Sequence, residues 1–238
     1  MDLLIRGARQ LGVDLDASQI GQFARYYREI VEWNPRAGLM SVTAHEEVQT
    51  RHFLDSLTVS AAVPGEVLAA GGDLLDVGSG AGLPGIPLAI AYPELRVTLL
   101  EATEKKAAFL AHVTGALGLE SVKVGTGRAE TLAHDPGLRE RFDLVASRSV
   151  ARLSVLAELT LPFCRIGGRC IAQKSVGVEE EIEEARGALG GLGAELGEVM
   201  QVTVPCSGVT RLLVCIDKVA PTTSRYPRRP GIPSKRPL

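Results

Sequence analysis

The chain has 238 residues, of which 45% are hydrophobic, enough to fill the core of one generous domain or of one domain with an extension. The net charge is −2, and the first residues carry Asp2, Arg6 and Arg9 without a sustained apolar run, which argues against a secretory signal. No window offers the roughly eighteen consecutive apolar residues that a membrane helix needs, so we predict a cytoplasmic globular protein.

The first predicted region, residues 1–70, is helical. Its apolar residues recur at the spacing of one helix face, as in Ile20, Phe23 and Tyr27. The pattern ends where proline and glycine follow one another at Pro64-Gly65.

Beyond residue 70, short apolar runs alternate with amphipathic segments. The runs predict the strands Leu74–Val77, Val97–Leu100, Val122–Val124, Phe142–Ala146 and Arg169–Ala172. The segments between them predict the crossover helices Gly85–Ala91, Lys105–Leu117, Ser154–Cys164 and Glu179–Leu189. Strands that alternate with helices pair in parallel, so residues 71–220 are predicted to form a doubly wound domain.

The alternation ends with two strand-like runs, Met200–Val204 and Arg211–Ile216. The connection "PCSGVT" is too short for a crossover helix, so the two runs should form an antiparallel hairpin at one edge of the sheet. The predicted fold class is therefore α/β, of the Rossmann-like class I methyltransferase type. It has a mostly parallel seven-stranded sheet with an antiparallel C-terminal hairpin, plus the N-terminal helical region.

The last predicted segment is a basic, proline-rich tail, residues 221–238. It contains five prolines and five basic residues but no acid, so the rest of the chain has a net charge of −7. Because proline cannot continue a helix or a central strand, the tail is predicted to be extended or disordered when free. A basic tail on an acidic body suggests nucleic acid, and we predict that Arg225, Arg228 and Arg229 bind RNA while Tyr226 stacks on a base.

The segment "DVGSGAGLPG" contains one glycine cluster that fits two patterns. G-x-G-x-x-G, typical of dinucleotide sites, fits from Gly80, whereas D-x-G-x-G-x-G fits from Asp76. The predicted strand ends near Val77, so the turn begins at Gly78, which favours the second pattern. There Gly80 and Gly82 let the backbone approach the amino-acid portion of a ligand, and S-adenosyl-L-methionine has such a portion.

Two polar positions downstream add to the predicted cofactor site. Glu101, at the end of the second strand, can accept both ribose hydroxyl protons, but nicotinamide cofactors are held in the same way. Arg128-Ala129-Glu130 follows the third strand, where a polar residue can bond the adenine edge. A nicotinamide-dependent oxidoreductase is therefore an alternative, disfavoured by the glycine register, the closing hairpin and the absence of a Tyr-x-x-x-Lys pair.

Five segments, taken in order, resemble the motifs of one family: "RHFLDSL", "DVGSGAGLPGIPL", "RAE", "SRSVARL" and "RYPRRPGIPSKRPL". The family is RsmG, the small-subunit ribosomal RNA guanine-N7 methyltransferases formerly called glucose-inhibited division protein B. The resemblance implies methyl transfer from S-adenosyl-L-methionine to N7 of a guanine in 16S rRNA, in the 530 loop in that family. Its partner would be 16S rRNA or the small ribosomal subunit. The chain departs from the family where Gly38-Leu39-Met40 replaces an asparagine-leucine-threonine stretch.

The glycine turn and the resemblance together give a predicted set of cofactor-binding residues. They are Asp76, Gly78, Gly80, Gly82, Leu83, Glu101, Ala102, Thr103, Ala129, Glu130 and Arg148.

The chemistry of the implied reaction makes positioning more important than acid–base groups. N7 of guanine has an in-plane lone pair and no proton, so no general base is needed and orientation should supply most of the rate. Ligands in such sheets lie at the carboxyl ends of the strands, so Arg148, Ser149 and Lys174 are predicted to hold the base and its phosphates.

The segment "RHFLDSL" supplies further candidates. His52 and Asp55 are three residues apart and share a helix face, where they either position the substrate or form a capping or interhelical pair. Arg51 beside them is predicted to contact RNA.

Cysteine and histidine spacing predicts no metal site, because no C-x-x-C pair is present. "VPCSG" is similar to the nucleophile loop of RNA cytosine-C5 methyltransferases, but it lies in the hairpin connection, so Cys206 is not predicted to be a nucleophile. A last alternative is an RNA-binding ribosome assembly factor with a vestigial cofactor pocket.

Overall fold

The computed structural model describes residues 1–148 and 151–238. These residues form a seven-stranded sheet with helices packed against it. Its strands are β1 Asp73–Val77, β2 Arg96–Glu101, β3 Val122–Thr126, β4 Phe142–Arg148, β5 Cys164–Ser175, β6 Ala194–Thr203 and β7 Thr210–Lys218. They lie in the order β3-β2-β1-β4-β5-β7-β6, and β1 to β5 pair in parallel. β7 is antiparallel to both β5 and β6, so the predicted fold class and its closing hairpin are confirmed.

Helices precede the sheet along the chain. They are α1 Asp2–Gln10, α2 Ala17–Ala37, α3 His45–Val48, α4 Asp55–Leu57 and α5 Gly65–Ala70. A π-helical segment, Gln49–Leu54, joins α3 to α4, and a 3₁₀ segment, Thr58–Ala62, follows α4. None of the helices in the described part of the chain is long and apolar enough to cross a membrane.

The crossover helices lie between the strands as the alternation of patterns predicts. They are α6 Gly85–Ala91, α7 Glu104–Ala116, α8 Ala129–Leu132, α9 Leu153–Thr160 and α10 Glu179–Gly191, and α11 Ile232–Lys235 lies in the tail. Chain order reverses between β1 and β4, which opens a crevice at the carboxyl ends of these two strands.

The central strands β1 and β4 are buried on both faces, and successive residues face different cores. Leu74 packs in a cluster with the N-terminal helices, α6 and α7, whereas Leu75 packs in a second cluster with α9 and α10. The N-terminal helices therefore cover one face of the sheet directly.

Helix α2 is anchored at both its start and its middle. Asp16 and Gln19 form a capping box, and the Gln19 amide also donates to the carbonyl of Ile90 at 2.8 Å. Further along, the hydroxyl of buried Tyr26 donates to the carbonyl of Ala81 at 2.5 Å. These contacts fix α2 against α6 and against the turn that follows β1.

The tail, residues 221–238, is docked on the body and is largely without regular structure, so of the two predicted alternatives, extended or disordered, the disordered one is wrong. Tyr226 is buried in the second core cluster. The guanidinium of Arg228 pairs with Glu158, whose side chain is 0% exposed, and Arg139 donates to the carbonyls of Thr222 and Tyr226. Apart from the short helix α11, the proline-rich tail has no regular structure, and these polar contacts need none.

Candidate active site

The turn after β1 has the backbone shape that its glycines predict. β1 ends at Val77, and Gly78, Gly80 and Gly82 have φ values of +75°, +59° and +92°. Residues other than glycine rarely adopt such values, so the turn begins at Gly78, as the pattern from Asp76 predicts. A Cβ on Gly82 would meet the Ile86 side chain at 2.4 Å, so this part of the turn is also tightly packed.

Two carboxylates brace the turn from below. Asp76 Oδ2 accepts from the Gly85 amide at 2.9 Å, while Asp76 Oδ1 is buried without a partner among the described residues. Burial raises the pKa of Asp76 to about 7. Glu101 Oε2 accepts from the Gly80 amide at 2.9 Å and Oε1 from the Thr103 amide at 2.7 Å. A carboxylate has about four acceptor sites, so Glu101 keeps capacity for a ligand.

Two cavities meet at Gly78. One, of about 150 Å³, lies at the ends of β2 and β3; its walls are partly apolar, from Leu100, Ala102, Ala129 and Leu159, with Glu101 and Glu130 as its acids. The other, of about 260 Å³, extends along the glycine turn and is lined by Leu39, Met40, Ser41, His52, Gly78, Ser79, Gly80, Ala81, Leu83 and Arg148.

Arg148, at the end of β4, contacts both His52 and Asp55, the predicted pair in "RHFLDSL". Its Nη1 donates to Asp55 Oδ2 at 3.0 Å, and its Nη2 lies 3.0 Å from His52 Nδ1. Because a guanidinium can only donate, Nδ1 must be the acceptor and the imidazole proton lies on Nε2. His52 Nε2 is buried without a partner among the described residues.

His52 is neutral at neutral pH. Burial in the first place, and then the positive charge of Arg148, lower the pKa of His52 to about 4. The neutral ring is the form that the hydrogen bond from Arg148 requires.

Asp55 is the centre of this cluster, and its remaining partners were not predicted. The side chain is 2% exposed, and Oδ1 accepts from Arg211 Nε at 2.7 Å and from Gln173 Nε2 at 3.2 Å. Gln173 lies on β5 and Arg211 on β7, far from Asp55 in the sequence. The hairpin prediction placed Arg211 at the start of a strand, but nothing in the sequence indicates which side chain it meets.

A third cavity, of about 470 Å³, opens beside the cluster. It is lined by Val42, Arg51, His52, Asp55, Arg148, Val209 and Arg211, and it shares His52 and Arg148 with the cavity along the glycine turn. Arg51 at its rim is exposed and pairs with Glu47 at 3.3 Å.

Several predicted site residues lie elsewhere. Lys174 Nζ donates to the carbonyl of Ala151 at 2.5 Å and also pairs with Glu181, and Lys174 lines none of the three cavities. Ser149 lies outside the described residues. Cys206 is exposed in the connection between β6 and β7.

The predicted RNA-binding residues of the tail differ from one another. Arg228 is engaged with Glu158, and Arg225 lies over the Tyr226 ring and donates to its hydroxyl at 2.6 Å. Arg229 is exposed. The tail also reaches the cofactor-side cavity, because the Gly231 amide donates to Glu130 Oε1 at 3.0 Å.

Comparison with known proteins gives consistent matches. The model of the GidB family, described as rRNA small subunit methyltransferase G, matches residues 19–208. Proteins named Ribosomal RNA small subunit methyltransferase G from Roseiflexus castenholzii and Dehalococcoides mccartyi are 49% and 46% identical, each aligned over 100% of both chains. The solved precorrin-6y C5,15-methyltransferase of Geobacter metallireducens matches with a TM-score of 0.52 and 17% identity, over 69% of this chain and 87% of its own, which shows a shared fold.

Proposed function

The chain belongs to the rRNA small subunit methyltransferase G family, and from this we propose that its site transfers the methyl group of S-adenosyl-L-methionine to N7 of a specific guanine in 16S rRNA. Membership makes it a methyltransferase that uses S-adenosyl-L-methionine. The observation that supports this site best concerns two of the cavities. The cavity along the glycine turn and the third cavity, which is lined by Arg51, Arg148 and Arg211, share His52 and Arg148.

The residues at the ends of β1, β2 and β3 fit the cofactor. The smallest cavity has apolar walls suited to adenine, Glu101 has acceptor capacity for ribose hydroxyls, and the glycine turn offers open backbone to the methionine portion. The unpartnered Asp76 Oδ1 below the turn is a further acceptor. When bound, the cofactor supplies an electrophilic sulfonium methyl group.

The side chains around Arg148 have a positioning task. Since guanine N7 carries a free lone pair, none of them needs to remove a proton. Arg148 and His52 line both the cavity along the glycine turn and the third cavity, so a base held against them would lie beside the glycine turn. Neutral His52 offers the Nε2 proton as a donor, and O6 of guanine can accept it, which leaves the neighbouring N7 lone pair free for the methyl group.

We assign the parts of the chain to this reaction as follows. Residues 71–220 hold the cofactor, and the N-terminal helical region, residues 1–70, contributes Arg51, His52 and Asp55 to the substrate side. Lys174 does not enter the assignment, because its ammonium is already held by Ala151 and Glu181. The alternatives, a nicotinamide-dependent oxidoreductase or an assembly factor with a vestigial pocket, are not favoured by the family match.

The test is methyl incorporation from labelled S-adenosyl-L-methionine into small subunits and into free 16S rRNA, both from cells that lack the endogenous enzyme. Chemical cleavage at N7-methylguanine then locates the mark. We expect one cleavable guanine in 16S rRNA. Cofactor binding by calorimetry without any incorporation would contradict the assigned substrate, and absence of both would contradict the assigned site.

Two variants make the test specific to the assigned cluster. Arg148→Gln should lose most of the incorporation because it loses the guanidinium between the two cavities. Arg186→Gln, which changes an exposed arginine on α10 that pairs with Glu183, should keep it. Equal activity of the two variants would show that Arg148 is not part of the site.

A further inference from the structure

The cavity beside Asp55 contains more positive than negative charge. Of the residues that line it, Arg51, Arg148 and Arg211 are cationic and Asp55 is the sole acid. The Arg51 charge is at the rim and is balanced by Glu47. The balance inside the cavity therefore depends on Arg148, Arg211 and Asp55.

Two guanidiniums share the Asp55 carboxylate. The Arg148 side chain is 14% exposed, that of Arg211 is 25% exposed, and both lie within hydrogen-bonding distance of Asp55. His52 adds no charge, because its Nδ1 accepts from Arg148. Among the described residues that line this cavity, two positive charges therefore face one negative charge; Asp76, the other acid that acts on Arg148, lies below the glycine turn and does not line it. An excess of positive charge in a largely buried place is costly unless a ligand supplies negative charge.

Arg211 has donors that no described residue occupies. Its Nε and Nη2 are directed to Asp55 at 2.7 and 3.5 Å, and its Nη1 lies 3.4 Å from Ser175 Oγ. A guanidinium carries five N–H bonds, so two of them are left for a ligand in the cavity. Arginine suits phosphate oxygens in particular, because its planar fork matches their geometry.

We propose that this cavity binds a phosphate group of the RNA substrate, with Arg211 as the phosphate contact and Asp55 as the residue that orients both guanidiniums. The inference rests on the proposed function. The cofactor also carries an anion, its carboxylate, but Arg211 does not line the cavity along the glycine turn, whereas Arg148 does. RNA is therefore the source of the anion that Arg211 meets.

The experiment compares Arg211→Gln and Arg211→Lys with the control Arg186→Gln in the full-length protein. The KM for small subunits or 16S rRNA is measured over a series of salt concentrations, and the cofactor Kd is measured by calorimetry. We expect Arg211→Gln to raise the RNA KM roughly tenfold, as loss of a charge-assisted hydrogen bond does. The slope of log KM against log salt should become shallower by about 0.7 to 0.9, the value for one phosphate contact.

The two other variants and the cofactor measurement separate the possible meanings. Arg211→Lys keeps a cation and should retain the salt slope, while Arg186→Gln should change neither quantity. An unchanged RNA KM and slope in Arg211→Gln overturns the proposal. A raised cofactor Kd with an unchanged RNA slope also overturns it, because the cofactor carboxylate would then be the anion.

Failure of the proposed function would give a different result. In that case the unmodified enzyme would not methylate 16S rRNA, and no KM could be compared. Filter binding of 16S rRNA would still report whether Arg211→Gln changes the salt slope. If Arg211→Gln does not fold, Arg211→Lys replaces it, since lysine keeps a cationic partner for Asp55. A lower RNA affinity of Arg211→Lys than of the unmodified protein at low salt would then support the phosphate contact, because lysine lacks the planar fork of the guanidinium. An unchanged affinity would contradict it.

Discussion

The two halves of the site are built by different means. On the glycine side, the backbone amides of Gly85 and Gly80 hold the carboxylates of Asp76 and Glu101. On the arginine side, Asp55 is held by side chains from three strands of the sheet. The first half therefore depends on backbone shape and the second on charge balance, and substitutions should affect them differently.

Asp55→Ala should have the largest effect. It leaves Arg148 and Arg211 facing each other without their shared carboxylate, and removing one partner of a buried ion pair costs about 3–5 kcal/mol. The free energy of unfolding from urea titration measures this. Asp55→Asn keeps an acceptor but no charge, so its free energy of unfolding should lie between those of the unmodified protein and Asp55→Ala. A loss below about 1 kcal/mol for Asp55→Ala would show that charge balance does not govern this half.

Gly82→Ala should have the next largest effect, and it tests the glycine half. Alanine is strained at φ +92°, and its Cβ would meet the Ile86 side chain at 2.4 Å, so we expect a loss of about 3 kcal/mol. Gly80→Ala is the matched control, because at φ +59° the nearest atom to its Cβ is 3.9 Å away. That variant should lose only about 1 kcal/mol. Equal losses in urea titration would contradict the claim that packing distinguishes the two glycines.

Arg228→Ala tests how far the docked tail supports the site. In this variant the backbone amide of residue 228 is the remaining donor to the buried Glu158 carboxylate. We therefore expect the free energy of unfolding to fall by about 2 kcal/mol. The cofactor Kd should also rise, because the same tail segment donates from Gly231 to Glu130. Arg229→Ala, one residue away and exposed, should leave both quantities unchanged. A fall in RNA affinity for Arg229→Ala would confirm the predicted RNA contact of that residue.

The sequence predicts the glycine half well because its parts are close along the chain. The strand end at Val77, the turn at Gly78 and the carboxylate at Glu101 each follow from local patterns. The layered fold follows for the same reason, since strand and helix periodicities alternate.

The arginine half could be predicted only in part. His52 and Asp55 stand out by spacing, but their partners Gln173 and Arg211 come from strands whose pairing fixes them, and no local pattern records which side chains meet. The docking of the tail was not predicted, for a similar reason. The tail is anchored by buried Glu158, an acid inside a helix that no local pattern connects to Arg228.

The pH dependence of stability should also separate the two halves, and it is the smallest of these effects when expressed per pH unit. Asp76 has a pKa of about 7 in the native state, so its contribution is fully present below about pH 4 and is lost as pH rises through about 7. His52 has a pKa of about 4, so its contribution is present above about pH 6.5 and is lost as pH falls through about 4. The two slopes oppose each other between about pH 4 and 6.5.

In Asp76→Asn, the pH dependence of the free energy of unfolding should therefore show the contribution of His52 without the opposing contribution of Asp76. We expect the free energy of unfolding of this variant to rise with pH across that window more steeply than that of the unmodified protein, by at most about 1.4 kcal/mol per pH unit. His52→Gln should change the slope in the opposite sense. Urea titrations at intervals of half a pH unit measure both. Parallel curves for the unmodified protein and Asp76→Asn would mean that Asp76 is already ionised when buried, and that a donor compensates its free oxygen.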